Sequence, residues 1–150
     1  MPDHDDDEMR RAMVEKELKV GVWRGGGPLP GYRFTVLIPD LAYHEARGFL
    51  NPAQYEHAAS LVKDLAEEDD PTHSMRQRIE AIDDYHELKD KGGILGKINL
   101  RVFFFVDKPR FVLLVLGAIN KGNEDQTPKS VRIRMRRRLR KYLNGEWQAP

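Results

Sequence analysis

The sequence predicts an α+β fold, with a small antiparallel or mixed sheet packed against N-terminal helices and followed by a basic C-terminal helix. Two strongly apolar segments, Arg101–Val106 and Phe111–Ile119, are separated by a short turn. A segment that begins at Asn51 carries apolar residues at helical spacing, and a stretch crowded with positive charge, Pro128–Leu143, follows the two strands. This order of strand, helices, strands and helix is typical of helices lying on a small antiparallel sheet.

The first 31 residues are predicted to be an acidic and glycine-rich extension, residues 32–145 the domain and residues 146–150 a tail. The acids near the start are Asp3, Asp5, Asp6, Asp7 and Glu8. Glu8–Lys19 can form a short helix, and the run Gly25–Gly31 breaks regular structure. Such a start is typical of a solvated, disordered end. The alternative is an acidic tail that competes for the basic helix.

The domain is predicted to open with a strand and a short helix. Tyr32–Ile38 shows the period-2 alternation of a half-buried strand. A proline ends this strand, and Leu41–Phe49 is predicted to be a helix with Asp40 as its cap.

The second helix has the clearest local signals. Asn51 is a good N-cap residue, and Pro52 suits the first helical position. Its apolar residues at helical spacing are Tyr55, Ala58, Ala59, Val62, Leu65 and Ala66. Asp69–Pro71 ends the helix, because the residue before a proline is disfavoured in the helical region. Ser74–Ile82 is predicted to be one more short helix.

The strands follow. Tyr85–Lys89 is a weak strand, and Ile94–Asn99 is strand or loop, because a glycine inside it weakens the pattern. Arg101–Val106 is a strong strand that turns at Asp107–Arg110 and returns antiparallel as Phe111–Ile119. The unbroken apolar run of the returning strand predicts a central strand covered on both faces or packed against helices.

The final helix is predicted to be capped by Thr127, opened by Pro128 and stopped by Gly145. No acid lies between Thr127 and Gly145, although the whole chain has a net charge of only +1. The basic residues of this helix are Lys129, Arg132, Arg134, Arg136, Arg137, Arg138, Arg140 and Lys141. Sorted charge of this kind indicates a polyanionic partner, either nucleic acid or an acidic protein.

Composition excludes several classes of function. The 150 residues contain no cysteine, which rules out disulfides, zinc–thiolate sites and thiol catalysis. The histidines lack ligand spacing, so no metal site and no cofactor are predicted. The chain has no apolar run near the roughly 20 residues of a membrane span, and its acidic start is unlike a secretory signal. We therefore expect a cytoplasmic protein with no membrane partner.

The chain resembles the RelE/ParE/HigB superfamily of bacterial toxins from type II toxin–antitoxin systems. The resemblance covers Tyr32 to Leu143 in the order of elements. It depends on the motifs Tyr85-His86-Glu87-Leu88-Lys89, Leu100-Arg101-Val102-Phe103-Phe104-Phe105-Val106-Asp107, Val112-Leu113-Leu114-Val115-Leu116-Gly117-Ala118-Ile119-Asn120-Lys121-Gly122, Thr127-Pro128-Lys129 and Arg140-Lys141-Tyr142-Leu143.

The resemblance implies a compact toxin that a small cognate antitoxin neutralises, as a homodimer or a toxin–antitoxin hetero-oligomer. Most relatives are metal-free endoribonucleases that cleave mRNA on the ribosome. A ribose 2′-OH attacks the adjacent phosphate, helped by a base, by cations and by an acid at the leaving oxygen. Relatives of the ParE branch instead inhibit DNA gyrase without catalysis.

The predicted catalytic residues combine this resemblance with side-chain chemistry. Arg101 matches the strand arginine of the ribonuclease members and binds phosphate bidentately. Lys121 and Lys97 would stabilise the transition state electrostatically. His86 would act as base or acid, since its ordinary pKa suits proton transfer. The predicted nucleic-acid-binding residues are Lys89, Lys91, Lys129, Arg132, Arg136, Arg137, Arg138 and Arg140. For any one of these residues, a structural or solvated role is the alternative.

The chain also departs from the family pattern. The loop after Lys121 lacks the tyrosine or histidine that many ribonuclease members carry as base or acid. Met1–Gly31 is extra, and Asp40–Ile82 is longer than the family's helical hairpin. These differences leave open an inactive relative, a changed target, a base supplied by His86, or a non-catalytic gyrase inhibitor or nucleic-acid-binding module.

Overall fold

The computed structural model describes residues 33–146, which form a five-stranded mixed sheet with helices on both faces. The strands are β1 (Thr35–Leu37), β2 (Arg78–Ala81), β3 (His86–Lys91), β4 (Asn99–Asp107) and β5 (Val112–Asn120). The helices are α1 (Asp40–Arg47), α2 (Pro52–Ala66) and α3 (Lys129–Leu143). The strand order is β1-β5-β4-β3-β2; β1 is parallel to β5, and the other pairs are antiparallel. The predicted α+β class with a small mixed sheet and a C-terminal helix is confirmed.

The two faces of the sheet bury separate apolar clusters. On the hairpin face, α1 and α2 cover side chains that include Leu88, Val102 and Phe104. On the opposite α3 face, the helix covers side chains that include Phe103 and Leu116. The α3 residues in this second cluster are Val131, Met135, Leu139 and Tyr142. None of the helices between residues 33 and 146 combines the length and apolar character that a membrane span needs.

The central position predicted for the second apolar strand is confirmed. β5 lies between β1 and β4, and it contributes buried side chains to both clusters. A bulge interrupts its pairing with β4: Phe103 lies opposite Gly117 while Phe104 lies opposite Val115. The extra residue on β5 changes the side-chain alternation, so Val115 and Ala118 both reach the hairpin face.

The helix starts agree only in part with their predicted caps. At α2, the Asn51 side chain accepts a hydrogen bond from the Gln54 N–H, and the Gln54 side chain accepts one from the Asn51 N–H, forming a capping box. The prediction for Asp40 is wrong, since Asp40 lies inside the first turn of α1 and Pro39 holds the N-cap position. The prediction for Thr127 is also wrong. Pro128 holds the N-cap of α3, and the Thr127 hydroxyl bonds a strand residue instead.

The predicted helix Ser74–Ile82 is wrong. Its second half is β2, an edge strand paired antiparallel with β3. Ile79 and Ile82 pack against opposite faces of the sheet, and Met75 is almost fully exposed, so the three apolar residues do not form one helical stripe. Pairing with β3 therefore outweighs the weak helical spacing.

Two open predictions are also resolved. The segment Ile94–Asn99 is a short 3₁₀ turn, Gly93–Leu95, followed by the start of β4. Gly145 follows α3 with a φ of +74°, a left-handed conformation that suits glycine after a helix. The predicted helix Glu8–Lys19, the run Gly25–Gly31 and the tail beyond residue 146 lie outside the described residues.

Candidate nucleic-acid interface

Cations from neighbouring strands meet on the α3 face at one end of the sheet. The strand register places Arg78 opposite Lys89, and Lys89 opposite Arg101. Side chains that are opposite each other in register lie on the same face, so these three are neighbours. We call Arg78, Lys89, Arg101 and Lys121, with the acids Glu80 and Glu87, the sheet-face cluster.

Arg101 is the buried centre of the sheet-face cluster. Its Nε lies 2.8 Å from Glu87 Oε1, and the two residues are only 7% and 3% exposed. Its Nη1 donates to Asn99 Oδ1 at 2.6 Å and to the Leu100 carbonyl at 3.0 Å. Burial lowers the pKa of Arg101, although an arginine stays protonated at neutral pH. The guanidinium is thus held in place by contacts from both Nε and Nη1.

Glu80 and Lys89 form the outer, more exposed part of the cluster. The Lys89 ammonium contacts the Glu80 carboxylate directly. The hydrogen bond and charge of Lys89 lower the pKa of Glu80, and the charges of Lys121 and Arg101 add to this effect. The carboxylate is therefore ionised at neutral pH, and its side chain is 56% exposed at the edge of the sheet.

The loop before α3 closes the cluster from the other side. Lys121 directly follows β5, and its Nζ donates to the Asp125 carbonyl at 2.9 Å. At the end of this loop the Thr127 hydroxyl donates to Glu87 Oε1 at 3.1 Å, in a buried contact. Glu87 thus joins Arg101 to the end of the loop that leads into the basic helix.

His86, which the sequence predicts to act as base or acid, does not belong to this cluster. It lies opposite Phe104, on the hairpin face, and the two rings are 5.9 Å apart. Burial lowers its pKa, and the charge of His73 adds to the effect. Side chains alternate along a strand, and Glu87 and Lys89 lie on the α3 face. His86 therefore lies on the other face.

Lys91 lies at the end of a strand of the sheet, whereas Lys97 lies in the loop between β3 and β4. Lys97 is exposed and lies two residues after the 3₁₀ turn, which is held against α2 by a hydrogen bond from Gln54 Nε2 to the Ile94 carbonyl. Lys91 is exposed at the end of β3, in register with Asn99, and borders the cluster. The prediction that Lys97 acts together with Arg101 thus finds no support in the geometry.

Arg138 is a structural residue of α3, although the sequence predicted it to bind nucleic acid. Its guanidinium is buried and holds Glu45 of α1 through two hydrogen bonds of 3.0 and 2.6 Å. Its Nη1 also donates to the Leu116 carbonyl at 2.8 Å, while Glu45 Oε1 accepts from the Ala118 N–H at 3.3 Å. The pair therefore bonds the backbone of β5 beyond the point where β1 ends, and leaves little of Arg138 for a ligand.

The remaining cations of α3 divide into paired and solvent-facing residues. Arg136 pairs with Asp83, and Arg134 Nε lies 3.5 Å from Glu45 Oε2. Arg132 is half-buried, and its backbone carbonyl accepts from the Tyr85 hydroxyl at 3.2 Å. The α3 cations that are exposed and have no ion pair within the described part of the chain are Lys129, Arg137 and Arg140. These three extend the positive surface from the cluster along the helix.

Sequence reasoning missed the two acids of the cluster. The sequence predicts a helix at Glu80 that does not form, and it indicates Glu87 only as part of a motif. The alternation of Glu87 and Lys89 with Leu88 was the available signal, since it places both charged residues on one face. Among residues 33–146, no group of three or more histidine, aspartate or glutamate side chains is arranged to hold a metal ion.

Comparison with known proteins finds no matching family model, no matching curated protein and no matching solved structure. The resemblance to the RelE/ParE/HigB toxins therefore stays a prediction that depends on the sequence motifs.

Proposed function

We propose that this protein is the toxin of a type II toxin–antitoxin pair and cleaves mRNA on the ribosome without a metal ion. The observation that carries the proposal is the sheet-face cluster. Cations from β2, β3, β4 and the end of β5 converge beside a helix whose outer side is also positive. A phosphodiester is the ligand that such a surface fits best.

The cluster offers different groups to a phosphate. Arg101 is fixed by Glu87 and Asn99, so its guanidinium is already oriented and little freedom is lost on binding. Lys89 and Lys121 add charge at the rim, where it stabilises the extra negative charge of the pentavalent transition state. The exposed cations of α3 would hold the flanking RNA backbone, which makes binding dependent on salt.

Lys121 is the residue that tests this proposal most cleanly. Arg101 is unsuitable, because its removal leaves the Glu87 carboxylate buried without its partner. We expect Lys121→Ala to slow cleavage of ribosome-bound mRNA by about 10²-fold, as for the loss of one electrostatic donor. The measurement is single-turnover cleavage on programmed ribosomes, together with growth after induction.

The matched control is Lys108→Ala. Lys108 is an exposed lysine in the turn between β4 and β5, at the opposite end of the sheet, and its nearest acid is 3.6 Å away. The Lys108→Ala variant should cleave mRNA at the wild-type rate. Equal activity of both variants would rule out the sheet-face cluster as the site.

A non-catalytic ParE-like gyrase inhibitor, or a nucleic-acid-binding module, is the second candidate. The placement of His86 on the hairpin face favours it, because the described cluster then has no imidazole for proton transfer. Induction in a bacterium separates the candidates. Translation arrest with mRNA cleavage supports the ribonuclease, whereas DNA-damage signalling with intact mRNA supports the gyrase inhibitor.

A further inference from the structure

Metal-free cleavage of RNA needs a group that removes the proton from the attacking 2′-OH. The sheet-face cluster contains two carboxylates, Glu80 and Glu87, on the same face as Arg101. A base must reach its substrate within hydrogen-bond distance, so exposure and occupancy decide between the two.

Glu87 is not suited to this role. It is 3% exposed, and its Oε1 is already shared by Arg101 and the Thr127 hydroxyl. Its position makes it a structural partner that orients Arg101.

Glu80 has the opposite character. It lies on β2, the edge strand of the sheet, with more than half of its side chain in solvent. Lys89 fixes the carboxylate beside the cations, and within residues 33–146 no further strand covers that edge. An RNA strand bound across the cluster can therefore approach Glu80 from the open side.

We propose that Glu80 is the general base of the reaction, an inference that rests on the proposed ribonuclease function. The Glu80 carboxylate takes the proton of the 2′-OH, and the 2′-oxygen forms a bond to phosphorus. The bond from phosphorus to the 5′-oxygen breaks, and that oxygen takes a proton from water. The hydroxide that remains takes the proton from Glu80, which restores the carboxylate. The products are a 2′,3′-cyclic phosphate and a 5′-hydroxyl end, and no electron is transferred.

The lowered pKa of Glu80 is consistent with this role, because the carboxylate is in its basic form throughout the neutral range. It is a weak base, and its contribution comes from position more than from proton affinity. The wild-type rate should therefore change little between about pH 6 and 8, where a histidine base would titrate.

The test is single-turnover cleavage of mRNA on programmed ribosomes by the full-length protein. Glu80→Gln keeps the shape of an exposed side chain, and we expect it to slow the chemical step by about 10²-fold or more while ribosome binding is unchanged. The matched control is Glu124→Gln, an exposed carboxylate in the loop after Lys121, which should cleave at the wild-type rate. A Glu80→Gln rate within about twofold of wild type would overturn the assignment of the base.

The cleavage rate of the Glu80→His variant, measured against pH, distinguishes a general base from a residue with a purely structural role. An imidazole at this position should restore part of the rate lost in Glu80→Gln, and this rate should rise with pH through a midpoint at or below about 6.5. A rate that equals that of Glu80→Gln at every pH would contradict the proposal. If the wild-type protein cleaves no ribosome-bound mRNA, the proposed function itself fails; if it cleaves and Glu80→Gln cleaves equally, only the base assignment fails.

Discussion

Arg101 and Glu87 depend on each other, because each is the charge partner of the other inside the fold. Both residues are almost fully buried, and Thr127, Asn99 and a backbone carbonyl add hydrogen bonds. A buried ion pair contributes little net stability, but the loss of one partner is costly because it leaves an uncompensated charge.

Arg101→Ala should therefore lower the free energy of unfolding by about 3–5 kcal/mol. Addition of Glu87→Gln should recover part of this loss, since the amide removes the buried charge and can still accept from Thr127. Urea unfolding of the two single variants and the double variant measures the coupling. A loss below about 1 kcal/mol for Arg101→Ala would mean that water reaches the pair.

At the residue scale, sequence patterns identified the cations but not their environments. Arg137 and Arg138 are adjacent in the sequence and chemically identical, yet the first is exposed and the second is buried against Glu45. The difference depends on the rotation of α3 about its axis. The residues that flank its apolar stripe can be either buried or exposed. The packing of α3 on the sheet determines which of them is buried.

At the scale of elements, α1, β5 and α3 meet at the Glu45–Arg138 pair. Gly117 lies beneath it, and a Cβ atom there would be 2.5 Å from Glu45 Oε1, 2.5 Å from Met135 Cε and 2.7 Å from Arg138 Nη1. The strand needs a glycine here because three side chains occupy the space that a methyl group would need.

Gly117→Ala should lower the free energy of unfolding by about 1–3 kcal/mol, because the pair must separate or the helix must shift. The control is Gly48→Ala, after α1, where φ is −66° and no contact of the added Cβ falls below 3 Å. Thermal unfolding compares the two variants. Equal midpoints would show that α3 adjusts at no cost.

The elements themselves were predictable where local chemistry is strong. The Asn51–Pro52 start of α2 and the long apolar run of β5 carry enough local information to define a helix and a central strand. β2 was not predictable, because it has four residues and its side chains are mostly exposed. The formation of such an edge strand depends on pairing with its neighbouring strand. This pairing is visible in the folded structure and not in the local sequence.

At the scale of the whole molecule, the net charge is only +1, yet a positive surface runs from the sheet-face cluster along the outer side of α3. Binding of single-stranded RNA should weaken linearly in a log–log plot against salt, with a slope of about −0.7 for each phosphate neutralised.

The double change Arg137→Gln, Arg140→Gln should reduce the magnitude of this slope by about 1.4 if each arginine contacts one phosphate. The control is the double change Arg47→Gln, Lys108→Gln, which removes two exposed cations away from α3. Fluorescence anisotropy of a labelled RNA oligonucleotide over a range of salt concentrations measures both slopes. A control slope that falls as much as the α3 slope would show that binding is not localised to the helix.

The parallel pairing of β1 with β5 has a consequence for biosynthesis. Thr35 lies opposite Val112, so the first described strand finds its partner only after most of the domain has left the ribosome. Until then the apolar sides of α1 and α2 have no completed sheet to cover, and a nascent chain that ends before β5 lacks the strand that joins both clusters. A domain with such non-local pairing folds slowly and late. A protein that acted on ribosomes would therefore become active only after its own synthesis was nearly finished.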